Sequence, residues 1–245
     1  MNLSLAGKTI LVIGGAKRIG RAVALECGRA GANVAFTFFS SRVEGEETLA
    51  MLQRIDPSGK FGMFALDVSL AGDWENLVGE IKNGFGEVFG MVFCAAIFER
   101  TPLAQLSEDD FDRHVSANLK GPFLGCQTWG ERLEEGGAIV LFSDIYAQKP
   151  LANYIPYCAS KAGVEMLCKG FAKALAPRVR VNCLAPGAIL PGEGDEDAEE
   201  ILVSRVPLRR LGRVEEVAQT TVFLLGGATF MTGAILPLDG GQLLQ

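Results

Sequence analysis

Tyr157 and Lys161, in the run Tyr157-Cys158-Ala159-Ser160-Lys161, stand four residues apart. On a helix that spacing puts both side chains on one face. A phenol beside an ammonium loses its proton more easily, because the positive charge favours the phenolate. A tyrosine tuned this way can pass a proton to or from a carbonyl or imine near neutral pH. The spacing alone is a weak signal, so its surroundings decide its meaning.

A glycine-rich turn, Gly14-Gly15-Ala16-Lys17-Arg18-Ile19-Gly20, joins an apolar run to a helical pattern. Glycines there let the backbone approach a pyrophosphate, and the helix N-terminus supplies N–H groups and a positive dipole end. The plain alternative is an ordinary strand–turn–helix link. A P-loop is excluded, because Gly7-Lys8-Thr9 has Asn2 where that motif needs glycine. The next apolar run ends in Phe39-Ser40-Ser41-Arg42, with no acid before Glu44. An NAD site places a carboxylate there for the ribose 2′-hydroxyl, whereas an NADP site needs cations and hydroxyls for the 2′-phosphate. With Lys17 and Arg18 near enough for charge-assisted bonds, the pattern favours NADP(H) over a merely solvated basic cluster.

The elements that must position these residues alternate along the chain. Strand-like runs read at Thr9–Ile13, Asn33–Phe39, Phe61–Leu66, Val88–Phe93, Ala138–Phe142, Val179–Leu184 and Ala234–Leu238. Helical patterns read from about Ile19 to Ala30, Arg42 to Ile55, Trp74 to Lys82 and Ser107 to Leu133, and around Tyr157. Ser107-x-x-Asp110 marks one helix start as a capping-box-like signal. Continuous apolar strands alternating with helices imply an α/β fold, a parallel sheet covered on both faces. No linker or repeat divides the chain, so 1–245 reads as one domain. The least core-like stretch, Pro186 to Leu208, holds the acidic run Glu193-Gly194-Asp195-Glu196-Asp197. It reads as a solvated loop and helix start, or as a substrate lid over about 187–210.

Composition narrows the class. A chain of 245 residues, 49% hydrophobic, can bury a sizeable single core. A net charge of −6 argues against nucleic acid, which needs a basic stripe. The apolar runs are strand-length, well short of the ~20 residues that span a bilayer, and the first residues lack a secretory pattern. Six scattered cysteines with no C-x-x-C pair imply reduced thiols in a cytoplasmic protein. The lone His114 has no ligand spacing, which leaves it a helix-surface or hydrogen-bonded role and no metal or triad.

With these pieces in order, the chain resembles the short-chain dehydrogenase/reductase family over essentially its full length. The matching motifs are the Gly14–Gly20 turn, Leu66-Asp67-Val68, Ala95, Asn118-Leu119-Lys120-Gly121, Tyr157-x-x-x-Lys161, Val181-Asn182, Pro186-Gly187 and Asp239-Gly240-Gly241. The resemblance implies a doubly wound Rossmann-like domain with seven parallel strands, assembled as a homo-oligomer, commonly a tetramer. It implies that Asp67 meets the adenine edge with Val68 beside it, and that Ala95 and Ala96 line the cofactor. Asn118 would hold a proton-relay water. Tyr157 would be the acid, and Lys161 would bind the nicotinamide ribose and lower the Tyr157 pKa. Pro186, Gly187 and Ile189 would flank the carboxamide.

Three departures point to one branch. Arg18 replaces the usual middle glycine, Phe93-Cys94-Ala95-Ala96 replaces an Asn-Asn-Ala-Gly motif, and Asp144 stands where the family has its catalytic serine, thirteen residues before Tyr157. With Phe98 and the run Ala185-Pro186-Gly187-Ala188-Ile189-Leu190-Pro191, these are similar to the pteridine reductases and bacterial dihydropterin reductases. That likeness implies a pterin stacked on Phe98 and oriented by Asp144, with a proton relay shared with Tyr157. The alternatives are a slip of register that makes Ser143 the catalytic residue, and simple core packing for Phe98. A 3-oxoacyl-(acyl-carrier-protein) reductase would want serine at 144 and basic groups such as Arg100, Arg209, Arg210 and Arg213 at the entrance. A third reading is a non-catalytic NADP(H)-binding regulator.

Overall fold

The computed structural model describes residues 4–190 and 199–245. Seven strands form one sheet: β1 Thr9–Ile13, β2 Asn33–Phe38, β3 Phe61–Ala65, β4 Val88–Phe93, β5 Leu133–Phe142, β6 Val179–Pro186 and β7 Ile235–Leu238. Every pairing is parallel, in the order β3-β2-β1-β4-β5-β6-β7. The order in which strands are added reverses between β1 and β4, so the loops beyond their carboxyl ends diverge and leave a crevice.

Strand alternation divides the core into two layers. Ile10 and Val12 of β1 face one cluster, which includes Val23 and Leu25 of α1 (Arg18–Arg29) and Leu52 of α2 (Arg42–Ile55). Leu11 and Ile13 face the other, with Trp74 and Leu77 of α3 (Ala71–Phe85). Both faces are covered, which explains why the strands read as unbroken apolar runs. Trp74 is fully buried, and its indole N–H is satisfied by the Val68 carbonyl at 3.0 Å.

One long helix predicted from Ser107 to Leu133 is in fact interrupted. α4 (Glu108–Val115) opens with the anticipated capping box, in which the Ser107 hydroxyl accepts from the Asp110 N–H and the Asp110 carboxylate accepts from the Ser107 N–H. A single π turn, Ser116–Lys120, then leads into α5 (Gly121–Trp129). Pro122 has no N–H to give the Asn118 carbonyl, so the α-helical ladder cannot cross this point. β5 starts five residues before its apolar run, at Leu133, and its register against β4 shifts between Val88 and Gly90.

α6 (Ile155–Leu175) carries Tyr157 and Lys161. Beyond β6 lie α7 (Glu199–Ser204), just past the acidic run read as a loop and helix start, and α8 (Val214–Val222), which the sequence reading leaves unassigned. The acidic run 193–197, Pro191 and the middle of the anticipated lid lie outside the described residues. His114 takes the hydrogen-bonded role and not the helix-surface one: it is fully buried in α4, its Nδ1 lies 2.7 Å from the Asp110 carbonyl, and its Nε2 meets no partner among the described residues. All six cysteines are free and five are buried. Among the described residues no acid, His or Cys cluster could hold a metal, and no helix is long and apolar enough to cross a membrane.

Candidate active site

A cleft of about 1090 Å³ runs along the carboxyl ends of the strands, from the β1–α1 turn to the start of α6. At its cofactor end the turn is built by close backbone approach. Gly14 has φ +81°, and a Cβ there would lie 2.8 Å from the Ala95 nitrogen. A Cβ on Gly20 would lie 1.9 Å from the Gly14 carbonyl oxygen, so only glycine fits. Thr37 at the end of β2 accepts the Gly14 N–H at 3.1 Å, while Arg21 and Thr48 both donate to the Ala16 carbonyl from behind. Arg18, where relatives of the resemblance carry glycine, adopts φ +52°. A non-glycine residue in that region carries backbone strain of about 1–3 kcal/mol, which persists where a site over-determines it.

Lys17, Arg18, Ile19, Ser40, Ser41, Asp67 and Val68 all line this end of the cleft, with Ala95, Ala96, Pro186, Gly187 and Ile189 further along. No carboxylate stands at the end of β2, where Phe39, Ser40 and Ser41 form the wall. A dinucleotide fits these groups: glycine-built close approach for a pyrophosphate, and cations with hydroxyls at the ribose edge. Arg42 stands at the rim of this end, its guanidinium 6.0 Å from the ring of Phe38, which lines the cleft. It begins α2, points to solvent and pairs with Glu46 at 3.2 Å, as the i,i+4 geometry of a helix dictates.

At the other end, Tyr157 is 5% exposed and donates its hydroxyl to Asp144 Oδ2 at 2.7 Å. The second carboxylate oxygen of Asp144 accepts the Tyr146 N–H at 2.9 Å, which fixes its orientation. Ser143 turns the other way, with its hydroxyl near the Lys161 carbonyl and the Glu165 carboxylate, both at 3.2 Å. The register therefore presents Asp144, not Ser143, to the tyrosine. Phe98 is 48% exposed and not core. Its ring stacks on Tyr154 at 4.5 Å and meets Tyr157 edge-on at 4.7 Å.

The electrostatics reverse one expectation. Lys161 is buried, donates to the Phe142 carbonyl at 2.9 Å, and lies 5.7 Å from the Tyr157 ring centroid. Burial pushes the Tyr157 phenol well above its usual range, and the Asp144 charge pushes it further. The carboxylate in direct contact outweighs the ammonium turned toward Phe142. Burial likewise raises the Asp144 carboxyl, against the opposing pull of the Tyr146 N–H, Tyr157 and Lys161. Burial lowers Lys161, with the Asp144 charge opposing. Desolvation dominates at all three groups.

Asn118 does not line the cleft. Its carboxamide accepts the Ile97 N–H at 2.8 Å and donates to the Ile97 carbonyl at 2.9 Å, with Ser160 Oγ at 3.3 Å. Both side-chain atoms are thus engaged in holding the residue before Phe98, and a relay water at Asn118 would have to use its backbone carbonyl. Sequence reasoning missed Tyr146 and Tyr154 on the cleft wall. Their spacing was the available signal: Tyr154 lies one helical turn before Tyr157, and Tyr146 two residues past Asp144.

Known proteins fit this geometry. A family model described as enoyl-(acyl carrier protein) reductase matches residues 14–242. The chain is 34% identical to D-threitol dehydrogenase of Mycolicibacterium smegmatis, over 98% of this chain and 95% of that protein. It is 31% identical to a 3-oxoacyl-(acyl-carrier-protein) reductase of Thermotoga maritima, over 99% and 100%. Among solved structures, a short-chain dehydrogenase/reductase from Serratia marcescens superposes with a TM-score of 0.91 at 30% identity, covering 98% of this chain and 99% of that one. One from Brucella melitensis gives 0.93 at 29%, covering 99% of each. A dinucleotide turn, a Tyr-x-x-x-Lys helix at the strand ends and full-length relatives in sequence and structure together have one meaning: the chain belongs to the short-chain dehydrogenase/reductase family of nicotinamide-dependent oxidoreductases.

Proposed function

We propose that this oxidoreductase uses NADPH to reduce a C=N bond of a pterin ring. The observation that carries the reading is the Asp144 carboxylate at 2.7 Å from the Tyr157 hydroxyl beside the half-exposed Phe98 ring. A pterin presents a flat face for Phe98 and an amino-pyrimidinone edge of N–H donors for a carboxylate. A ketone offers an acceptor only, which a serine hydroxyl serves better. Lys17, Arg18, Ser40 and Ser41 would hold the cofactor's 2′-phosphate, and Lys161 its nicotinamide ribose. When bound, the cofactor supplies the hydride.

The chain's own residues supply the rest. Tyr157, whose raised pKa keeps it protonated at neutral pH, gives its proton to the ring nitrogen. Asp144 orients the substrate and, with its carboxyl raised by burial, shares the proton that Tyr157 must regain. Asn118 holds Ile97 and so sets the position of Phe98. The homotetramer implied by the resemblance belongs to the same proposal; Leu244, beyond edge strand β7, is 88% exposed and available for a subunit contact.

The second reading, a 3-oxoacyl-(acyl-carrier-protein) reductase, is favoured by relatives that carry that name. Against it stand Asp144 and the engagement of three of the four basic residues proposed for the entrance, Arg100 being the exception. Glu216 pairs with Arg210 at 2.7 Å and lies 3.7 Å from Arg213, and Arg209 donates to the Ser204 carbonyl. Following NADPH oxidation in parallel with a dihydropterin and an acetoacetyl thioester decides between them. Turnover of the thioester alone would sink the pterin reading.

A further inference from the structure

Charged side chains on the substrate half of the cleft are mostly spoken for. Asp144 and Lys161 lie at the reacting groups. Glu99 and Arg113 neutralise each other at 3.0 Å, and Arg113 has a second partner in Asp110 at 2.7 Å. Arg205 is different. It follows α7, is exposed, lines the cleft beside Tyr146 and Leu202, and makes no ion pair with any described residue. Its charge reaches into the site: burial and then Asp144 push the Tyr146 phenol up, and Arg205 pulls it down. In a chain of net charge −6, a cleft-wall cation that no described residue pairs with draws anionic ligand groups.

The position of that charge relative to Asp144 fits one kind of molecule. A pterin whose amino-pyrimidinone edge meets recessed Asp144 directs the substituent on its opposite edge outward. Leu151, Tyr154, Leu202 and Arg205 all line the cleft. The apolar groups suit an aromatic or alkyl tail, and the guanidinium suits a carboxylate, which it can hold by two parallel hydrogen bonds.

We propose that Arg205 is a specificity-determining residue that selects pterins whose ring substituent carries a carboxylate over those with a neutral side chain. The proposal rests on the pterin reading of the site. It is tested with dihydrofolate, whose tail ends in carboxylates, and dihydrobiopterin, whose tail is neutral, on wild type, Arg205→Gln and Arg205→Lys. Arg205→Gln is expected to lose about three- to fivefold in kcat/KM on dihydrofolate, through KM and not kcat, and nothing on dihydrobiopterin. Arg205→Lys restores part of the loss, and the wild-type preference shrinks as salt rises, since an exposed ion pair is screened. Equal responses of the two substrates to Arg205→Gln, or no response, overturn the role of Arg205 and leave the pterin reading intact. A wild-type protein that reduces neither substrate overturns the pterin reading, and this proposal with it.

Discussion

Replacing Asp144 by Asn tests the site most directly. The substitution keeps the shape and the oxygen that caps the Tyr146 N–H at 2.9 Å, so the local fold persists. It removes the charge that accepts the Tyr157 hydroxyl at 2.7 Å and that would accept the substrate's N–H groups. A hydrogen bond to a charged group contributes ~1.5–3 kcal/mol. Since about 1.4 kcal/mol is tenfold in rate, kcat/KM for a dihydropterin falls roughly 10- to 150-fold. The pH profile moves as well. Burial and then the Asp144 charge hold the phenol up. Asn removes the second contribution, so the phenol ionises more easily and the alkaline limb, where the proton donor is lost, shifts to lower pH. Stopped-flow or steady-state NADPH oxidation from neutral to alkaline pH measures both effects. Activity within twofold of wild type, or an alkaline limb that moves upward, refutes the assignment of Asp144.

Other outcomes follow from the same geometry. Tyr157→Phe removes the hydroxyl that Asp144 Oδ2 receives and abolishes reduction while leaving the melting temperature within a few degrees; full activity in steady-state assays would mean the acid is elsewhere. Arg18→Gly suits the φ of +52° at that turn but deletes a cation, so selectivity for NADPH over NADH drops about tenfold in fluorescence titrations, the scale of one charge-assisted contact; unchanged selectivity would remove Arg18 from the phosphate site. Burial raises the Cys27 thiol from 9.0 to about 12. The folded state therefore holds a proton that the unfolded chain releases in that window, and stability is full below pH 9.0 and falls as pH rises, by about 1.4 kcal/mol per pH unit for this group. Cys27→Ala makes that alkaline decline shallower in urea unfolding under reducing conditions; parallel declines would contradict the burial effect.

Much of the fold was legible because a sheet buried on both faces writes itself as unbroken apolar runs, and β1 and β4 appear at their predicted bounds. Features that depend on backbone hydrogen bonding were harder to read. The π turn at Ser116–Lys120 follows from a single missing N–H at Pro122, and apolar spacing continues across it. α8 went unread because only three-dimensional context tells its short periodic stretch from a loop. Within the site, Gly14, Gly20, Tyr157 and Lys161 were identifiable because their chemistry depends on residue type and local spacing. Orientation was not: the sequence does not show that Asn118 spends its carboxamide on Ile97. The sign of the Tyr157 shift was misjudged for the same reason, since which charge touches the phenol is set by tertiary packing.

The contact between Tyr157 and Asp144 also acts as an interlock under the proposed mechanism. In the resting protein the proton donor is held by a carboxylate that its ligand must satisfy in another way before Tyr157 can turn to its task. A ring with N–H groups on one edge supplies that replacement as it binds and so releases the phenol. A simple ketone brings no donor and must pull the hydroxyl away, leaving Asp144 Oδ2 without its bond from Tyr157, a cost of about 1–3 kcal/mol or more for a charged group. Under the proposed function, the bond that holds the proton also screens what may receive it, before any substrate is bound.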